Sequence, residues 1–335
     1  MEKLVKFKDT DFLHASARIR SVSKKLLTNR QILQMAETPS LEEAWKLCND
    51  AGIGATTPAE DFERALSENL DEAYELLESL VEGHDFLRLL RYEYDALNLK
   101  ILIKAKAMNS DCEGMLTSLG SIPAGVIAAE FKGGVYEKTP PRLARAAAEA
   151  EDALARTGDP QLVDVILDKA MLAAMNEKAQ GYDIPILHRI VRERIDLENI
   201  KAAVRLSRIG KDLDFLKRLL SPGGAVDPAA ISAAFPQGMN AIVDMIEATP
   251  YGERLAPSLQ PLRDGGSLTE FERLCDNLRL DILSGTKFIP FGVEVLVVYA
   301  LAKDMELRAV RIVLASRLAG VNPGLIRERL RETYA

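Results

Sequence analysis

Three histidines (His14, His84, His188) and three cysteines (Cys48, Cys112, Cys275) are the side chains in this 335-residue chain best able to ligate a metal or attack a substrate. None has the spacing for it. There is no HExxH pair and no CxxC, so the histidines read as surface or capping residues and the cysteines as reduced, packed thiols. A nucleotide site would need a glycine-rich loop ending in Gly-Lys-Ser/Thr, whose backbone amides cradle phosphates. Gly52-Ile53-Gly54 is only a GxG, follows the helical run from Leu41 to Leu47 and has no lysine close behind, so a turn or helix C-cap is expected there. The acidic run Glu149-Ala150-Glu151-Asp152 reads as a solvated helix face, and the C-terminal arginines Arg327, Arg329 and Arg331, interspersed with Glu328 and Glu332, as an exposed helix. No DDxxD cluster for magnesium and no G-x-S-x-G elbow is present. The expectation is no catalytic residue, no cofactor and no metal.

The composition is that of a globular protein, with 47% hydrophobic and 28% charged residues but only 6% aromatic ones. Ala, Leu, Glu, Arg and Lys dominate, the types that lose least on entering a helix. A net charge of −7 argues against a surface built to neutralise phosphates, so no nucleic-acid partner is expected. The opening Met1-Glu2-Lys3-Leu4 lacks the apolar core of a secretory signal, which implies a chain that stays in the cell. The most apolar stretch, Val295 to Ala302, is far short of the ~20 residues a bilayer demands. Any membrane association should therefore pass through another protein.

Helix starts recur as a small capping residue followed by proline: Thr57-Pro58, Asp159-Pro160, Asp227-Pro228 and Asn322-Pro323. Capping-box spacing appears at Ser40/Glu43, Thr57/Glu60 and Ser267/Glu270. Loops are expected at Gly52–Gly54, Gly133-Gly134, Gly223-Gly224 and Gly265-Gly266. Apolar stripes at helical spacing, such as Phe86, Leu90, Tyr94, Leu97 and Ile101, spread over more than one face, which predicts inner helices. No alternating strand pattern separates them, so an all-α fold is expected.

These helices also resemble one another. Tyr94-Asp95-Ala96-Leu97-Asn98-Leu99-Lys100 aligns with Ile195-Asp196-Leu197-Glu198-Asn199-Ile200-Lys201, keeping Asp, Asn and Lys in register. A third copy, Glu306-Leu307-Arg308-Ala309-Val310-Arg311, keeps acid and base but has Ala309 at the asparagine position. Each acid follows a cation, Arg91, Arg192 or Lys303, a same-face pair worth ~0.2–0.5 kcal/mol. Asn98 and Asn199, flanked by leucine or isoleucine, read as buried amides bonded to a neighbouring helix or loop. The copies recur roughly every 100 residues, well outside the 20–50 residue period of solenoids.

On these residues the chain resembles the C subunit of the bacterial and archaeal A/V-type rotary ATPases, homologous to the d subunit of the eukaryotic vacuolar enzyme. The likeness spans nearly the whole chain. It includes Ala17-Arg18-Ile19-Arg20 with Leu26-Leu27-Thr28, the two Asp-x-x-Asn-x-Lys segments, Thr249-Pro250-Tyr251-Gly252, Phe291-Gly292-Val293-Glu294, Tyr299, Glu306, Arg311 and Ile326 to Leu330. The family-signature positions are thus Arg18, Asp95, Asn98, Lys100, Asp196, Asn199, Lys201, Glu306 and Arg311, expected to mark the fold rather than an interface. The resemblance implies one domain of this C/d type over 1–335, a funnel of three pseudo-symmetric helical units over about 10–112, 113–214 and 215–330. It implies a non-catalytic adaptor without bound nucleotide, peripheral on the cytoplasmic side of the membrane, mating central-stalk subunits to the membrane rotor ring. The alternative is an unrelated all-helical scaffold that holds protein partners.

Overall fold

The computed structural model describes residues 4–81 and 83–334. The described residues contain α- and 3-10 helices and a single isolated parallel bridge, Val5 with Tyr182, but no strand. The all-α expectation holds. No helix among them is long and apolar enough to cross a membrane.

The chain forms two compact units. One is split in sequence, Lys6–Asp85 with Arg273–Ala335, and the other is centred on Phe86–Glu272. The split unit starts with α1 (Leu13–Ser23), α2 (Asn29–Glu37), α3 (Leu41–Asp50) and α4 (Phe62–Leu80). The other unit holds α5 (Tyr92–Met108), α6 (Ala124–Gly133), α7 (Pro141–Thr157), α8 (Pro160–Gln180) and α9 (Pro185–Arg208). Four shorter helices follow: α10 (Leu213–Leu219), α11 (Pro228–Ala234), α12 (Met239–Glu247) and α13 (Gly252–Arg263). The division falls within α14 (Thr269–Ser284), after which α15 (Val293–Leu318) and α16 (Pro323–Arg329) complete the split unit.

Local chemistry explains most boundaries. Asp159, Asp227 and Asn322 cap α8, α11 and α16, each side chain accepting an N–H two residues on at 2.8–2.9 Å while proline takes the first helical position. Thr57-Pro58 behaves differently. The chain makes a 3-10 turn over Ala59–Asp61, α4 begins only at Phe62, and the Thr57 carbonyl instead accepts the Trp45 indole N–H at 2.9 Å. Tertiary contact overrides the local signal there. Ser40 caps α3 through the Glu43 N–H as expected, whereas Ser267 reaches Thr269 rather than Glu270, and the complete box belongs to Thr28 and Gln31 on α2.

The three motif helices are the inner ones. α5 packs against α6, α7 and α8; α9 against α8, α10, α11 and α12; α15 against α1, α2, α3, α4 and α16. In α9 the side chains Leu187, Ile195, Ile200 and Val204 are all fully buried, each contributing about 1.5–3 kcal/mol by leaving water. The first stripe departs from its expectation at two points. Phe86–Arg91 is 3-10, and Leu97 is 44% exposed.

Candidate functional site

The acids and amides of the repeated motif are buried on the inner helices, and they grip loops. Asn98 on α5 donates its amide N–H to the Thr117 carbonyl and accepts the Thr117 N–H, both at 2.9 Å. Asn199 on α9 does the same with Ser221, both bonds at 2.8 Å. Each amide thus satisfies one residue's donor and acceptor together, the pairing expected of a buried asparagine. One turn earlier, Asp95 accepts from the Ser121 hydroxyl at 2.6 Å and the Ile122 N–H at 3.4 Å. Asp196 accepts from the N–H groups of Ala225 and Val226, both at 2.9 Å, and from the Tyr251 hydroxyl at 2.7 Å. Asp95, Asn98, Asp196 and Asn199 are all essentially inaccessible to solvent.

Glycine permits the close approach. A Cβ on Gly120 would lie 2.4 Å from Asp95 Oδ1, and one on Gly224 would lie 1.9 Å from Asp196 Oδ1. Burial pushes the Asp95 carboxyl up to about 6, while the Ser121 hydroxyl, the loop N–H groups and the Arg91 charge pull the other way. Burial and the bond to Asp196 also raise the Tyr251 phenol, fixing it as a donor. This accounts for the Thr-Pro-Tyr-Gly signature: its tyrosine closes the second clamp.

The third motif follows the scheme with different parts. Glu306 on α15 is 2% exposed and accepts the Leu27 N–H at 2.5 Å, with the Lys303 ammonium 2.6 Å away. Leu27 stands directly before the N-cap of α2, as Ile122 and Val226 stand directly before those of α6 and α11. In that alignment the counterpart of Thr117 and Ser221 is Val22, inside α1, where the helix already uses the backbone. The alanine at 309 therefore leaves no peptide group orphaned.

The remaining signature residues lie elsewhere. Lys100 pairs with Asp168 on α8 at 2.6 Å, Lys201 with Glu198 at 2.8 Å, Arg311 with Glu63 on α4 at 2.7 Å, and Arg18 is exposed on α1. Of the upstream cations, Lys303 contacts its acid, Arg91 donates to the Leu119 carbonyl at 2.8 Å, and Arg192 is exposed. In the clamped loops the sequence marks turns, with Gly120 and Pro123 in the first and Gly223-Gly224 in the second, but not their anchors.

The histidines and cysteines are dispersed. His14 is exposed, His84 meets the Phe7 ring edge-on at 4.7 Å, and a His188 ring nitrogen lies 2.9 Å from the Tyr182 carbonyl. Cys48 and Cys275 are buried, burial pushing the Cys48 thiol up to about 12, whereas Cys112 is only half-buried and departs from the packed reading. Gly54 ends the turn after α3 against the Trp45 ring, which a Cβ would meet at 2.5 Å. Among the described residues no group of three or more His, Cys, Asp or Glu could hold a metal. An apolar cavity of about 660 Å³ between α5, α7 and α8 has Lys104, Lys106 and Glu151 as its ionisable lining, the last two paired at 2.5 Å.

What this geometry defines is an all-helical scaffold whose recurring acids and amides fasten loops to central helices. The chain belongs to the ATP synthase (C/AC39) subunit family, whose profile matches residues 15–329. Among its relatives is the A-type ATP synthase C subunit of Thermococcus gammatolerans, 26% identical over 98% of this chain and 92% of the relative. That of Methanothermobacter thermautotrophicus is 25% identical over 95% and 87%, and that of Haloferax volcanii 26% over 80% of each.

Proposed function

We propose that this chain is the non-catalytic adaptor of an A/V-type rotary ATPase, joining central-stalk subunits to the membrane rotor ring at the cytoplasmic side. The observation that carries the reading is the family match from residue 15 to 329, which leaves little of the chain outside it. The clamps support it physically. A part that passes torque must not yield, and close-packed helices whose loops are pinned by buried, fully bonded side chains deform little.

The same bonds support a triplicated architecture. Beyond each clamp a cation reaches the helix that precedes the next motif helix: Lys100 reaches α8, Arg205 reaches Glu272 at the start of α14 at 2.7 Å, and Arg311 reaches α4. Each copy keeps a clamping acid and a cation to the neighbouring helix, though in the second copy Lys201 stays with Glu198 and Arg205, four residues on, makes the reach; an unrelated scaffold gives no reason to expect this. Purified chain mixed with stalk subunits and, separately, with the detergent-solubilised ring tests the function. Co-elution with both is expected; co-elution with neither overturns the adaptor reading and leaves the scaffold alternative.

A further inference from the structure

The three clamps are unequal in a way that singles out one turn. The loop around 117–122 is held by both Asn98 bonds, by the Ser121 and Ile122 bonds to Asp95 and by Arg91 on the Leu119 carbonyl. The loop around 221–226 is held by both Asn199 bonds and by Ala225 and Val226 on Asp196. The corresponding turn between α1 and α2 meets its acid through the Leu27 N–H alone. Its acid lies 279 residues away in the chain, whereas Asp95 and Asp196 lie within 30 residues of the loops they hold. Position 25 is lysine where the other loops have Gly120 and Gly224, the glycines against which the Asp95 and Asp196 carboxylates pack. A cavity of about 280 Å³ backs the turn, lined by Lys25, Leu26, Asn69, Glu72, Tyr299 and Lys303 among others, and the Asn69 Oδ1 has no partner.

We propose that the third clamp is a releasable latch, in which the turn over residues 24–28 opens from Glu306 while its two counterparts stay closed. α1 and α2 need not leave with it. Ser16 is bonded to the backbone of Gly292 on both sides, Arg20 reaches the Ile289 carbonyl, and Arg317 donates to the Thr38 carbonyl at 2.8 Å. The opening is therefore a hinge between two helices that remain seated. Lys303 is the group that holds the latch shut, because it neutralises Glu306 and keeps the carboxylate turned toward Leu27. In the open state Glu306 and Lys303 gain access to water in the cavity behind them.

Residue-resolved amide hydrogen exchange on the full chain tests this. The Leu27 amide is expected to exchange at least about tenfold faster than those of Thr117, Ser221 and Val226 in the unaltered protein. Lys303→Met and Glu306→Gln should each speed exchange of residues 24–28 by about tenfold more, with α7 to α9 unchanged. Leu27 protected as well as or better than Ser221 and Val226 would overturn the proposal. So would variants whose exchange rises equally through α4 and α15, since Glu306 would then be a staple of the whole unit.

Discussion

A single asparagine replaces an absent stretch of secondary structure in two places. Thr117 and Ser221 lie in loops, and Asn98 and Asn199 supply the donor and acceptor that a helix or strand would have supplied. Removing Asn199 leaves the buried N–H and C=O of Ser221 without partners, at about 1–3 kcal/mol for each group, and removing Asn98 costs less because Thr117 is only part-buried. Asn199→Ala should therefore lower the denaturation midpoint strongly, while Ala309→Asn, at a position with no peptide to grip, should gain nothing; urea titration of both variants checks the contrast. Asp95 adds a pH signature. Its folded pKa is raised to about 6, so the folded chain holds that proton more tightly than the unfolded one. The resulting stability is fully present below the ordinary carboxylate value near ~4 and is lost as pH rises through about 6. Asp95→Asn cannot titrate. In thermal melts between about pH 4 and 8 the wild type should lose ground to this variant across that window and then run parallel to it; a constant gap throughout would show that the carboxyl is not shifted.

At the scale of elements, each clamp joins a long helix, through the first turn of α5 at Asp95 and the middle of α9 and α15 at Asp196 and Glu306, to the residue just before the N-cap of a short one, which fixes where the short helix begins. Gly224 and Gly120 are the points where that joint has no slack. Gly224→Ala places a methyl inside the Asp196 carboxylate and should cost well over ~2 kcal/mol, with α11 losing its hydrogen-exchange protection first. Gly114→Ala, at a glycine that, like Gly224, has no positive φ and where a Cβ would meet nothing within 4 Å, is the control for the substitution alone. If both variants lose the same stability, the close approach at Gly224 is not what matters. The surface pairs rank lower. Arg311–Glu63 and Lys100–Asp168 are partly exposed, and such pairs contribute ~0–1 kcal/mol each.

For the molecule as a whole, the proposed role places nucleotide chemistry in other subunits. Equilibrium dialysis of the chain against magnesium-ATP should find no retained nucleotide, and saturable one-to-one binding would contradict the reading. Much of this protein is determined by its sequence alone: helices, the proline-led caps at 159, 227 and 322, the buried asparagines and the repeated motif all follow from short-range chemistry and helical period. The acids are the exception. In the sequence, Asp95, Asp196 and Glu306 each follow a cation one turn away, a distance that periodicity specifies. Their loop partners lie 26 to 30 residues downstream in two cases and 279 residues upstream in the third. No local rule encodes those separations, because they are fixed by which helices pack together. Only tertiary packing could decide that the third acid is completed by the opening segment of the chain, and that alanine is free to replace asparagine there because α1 already satisfies its own backbone.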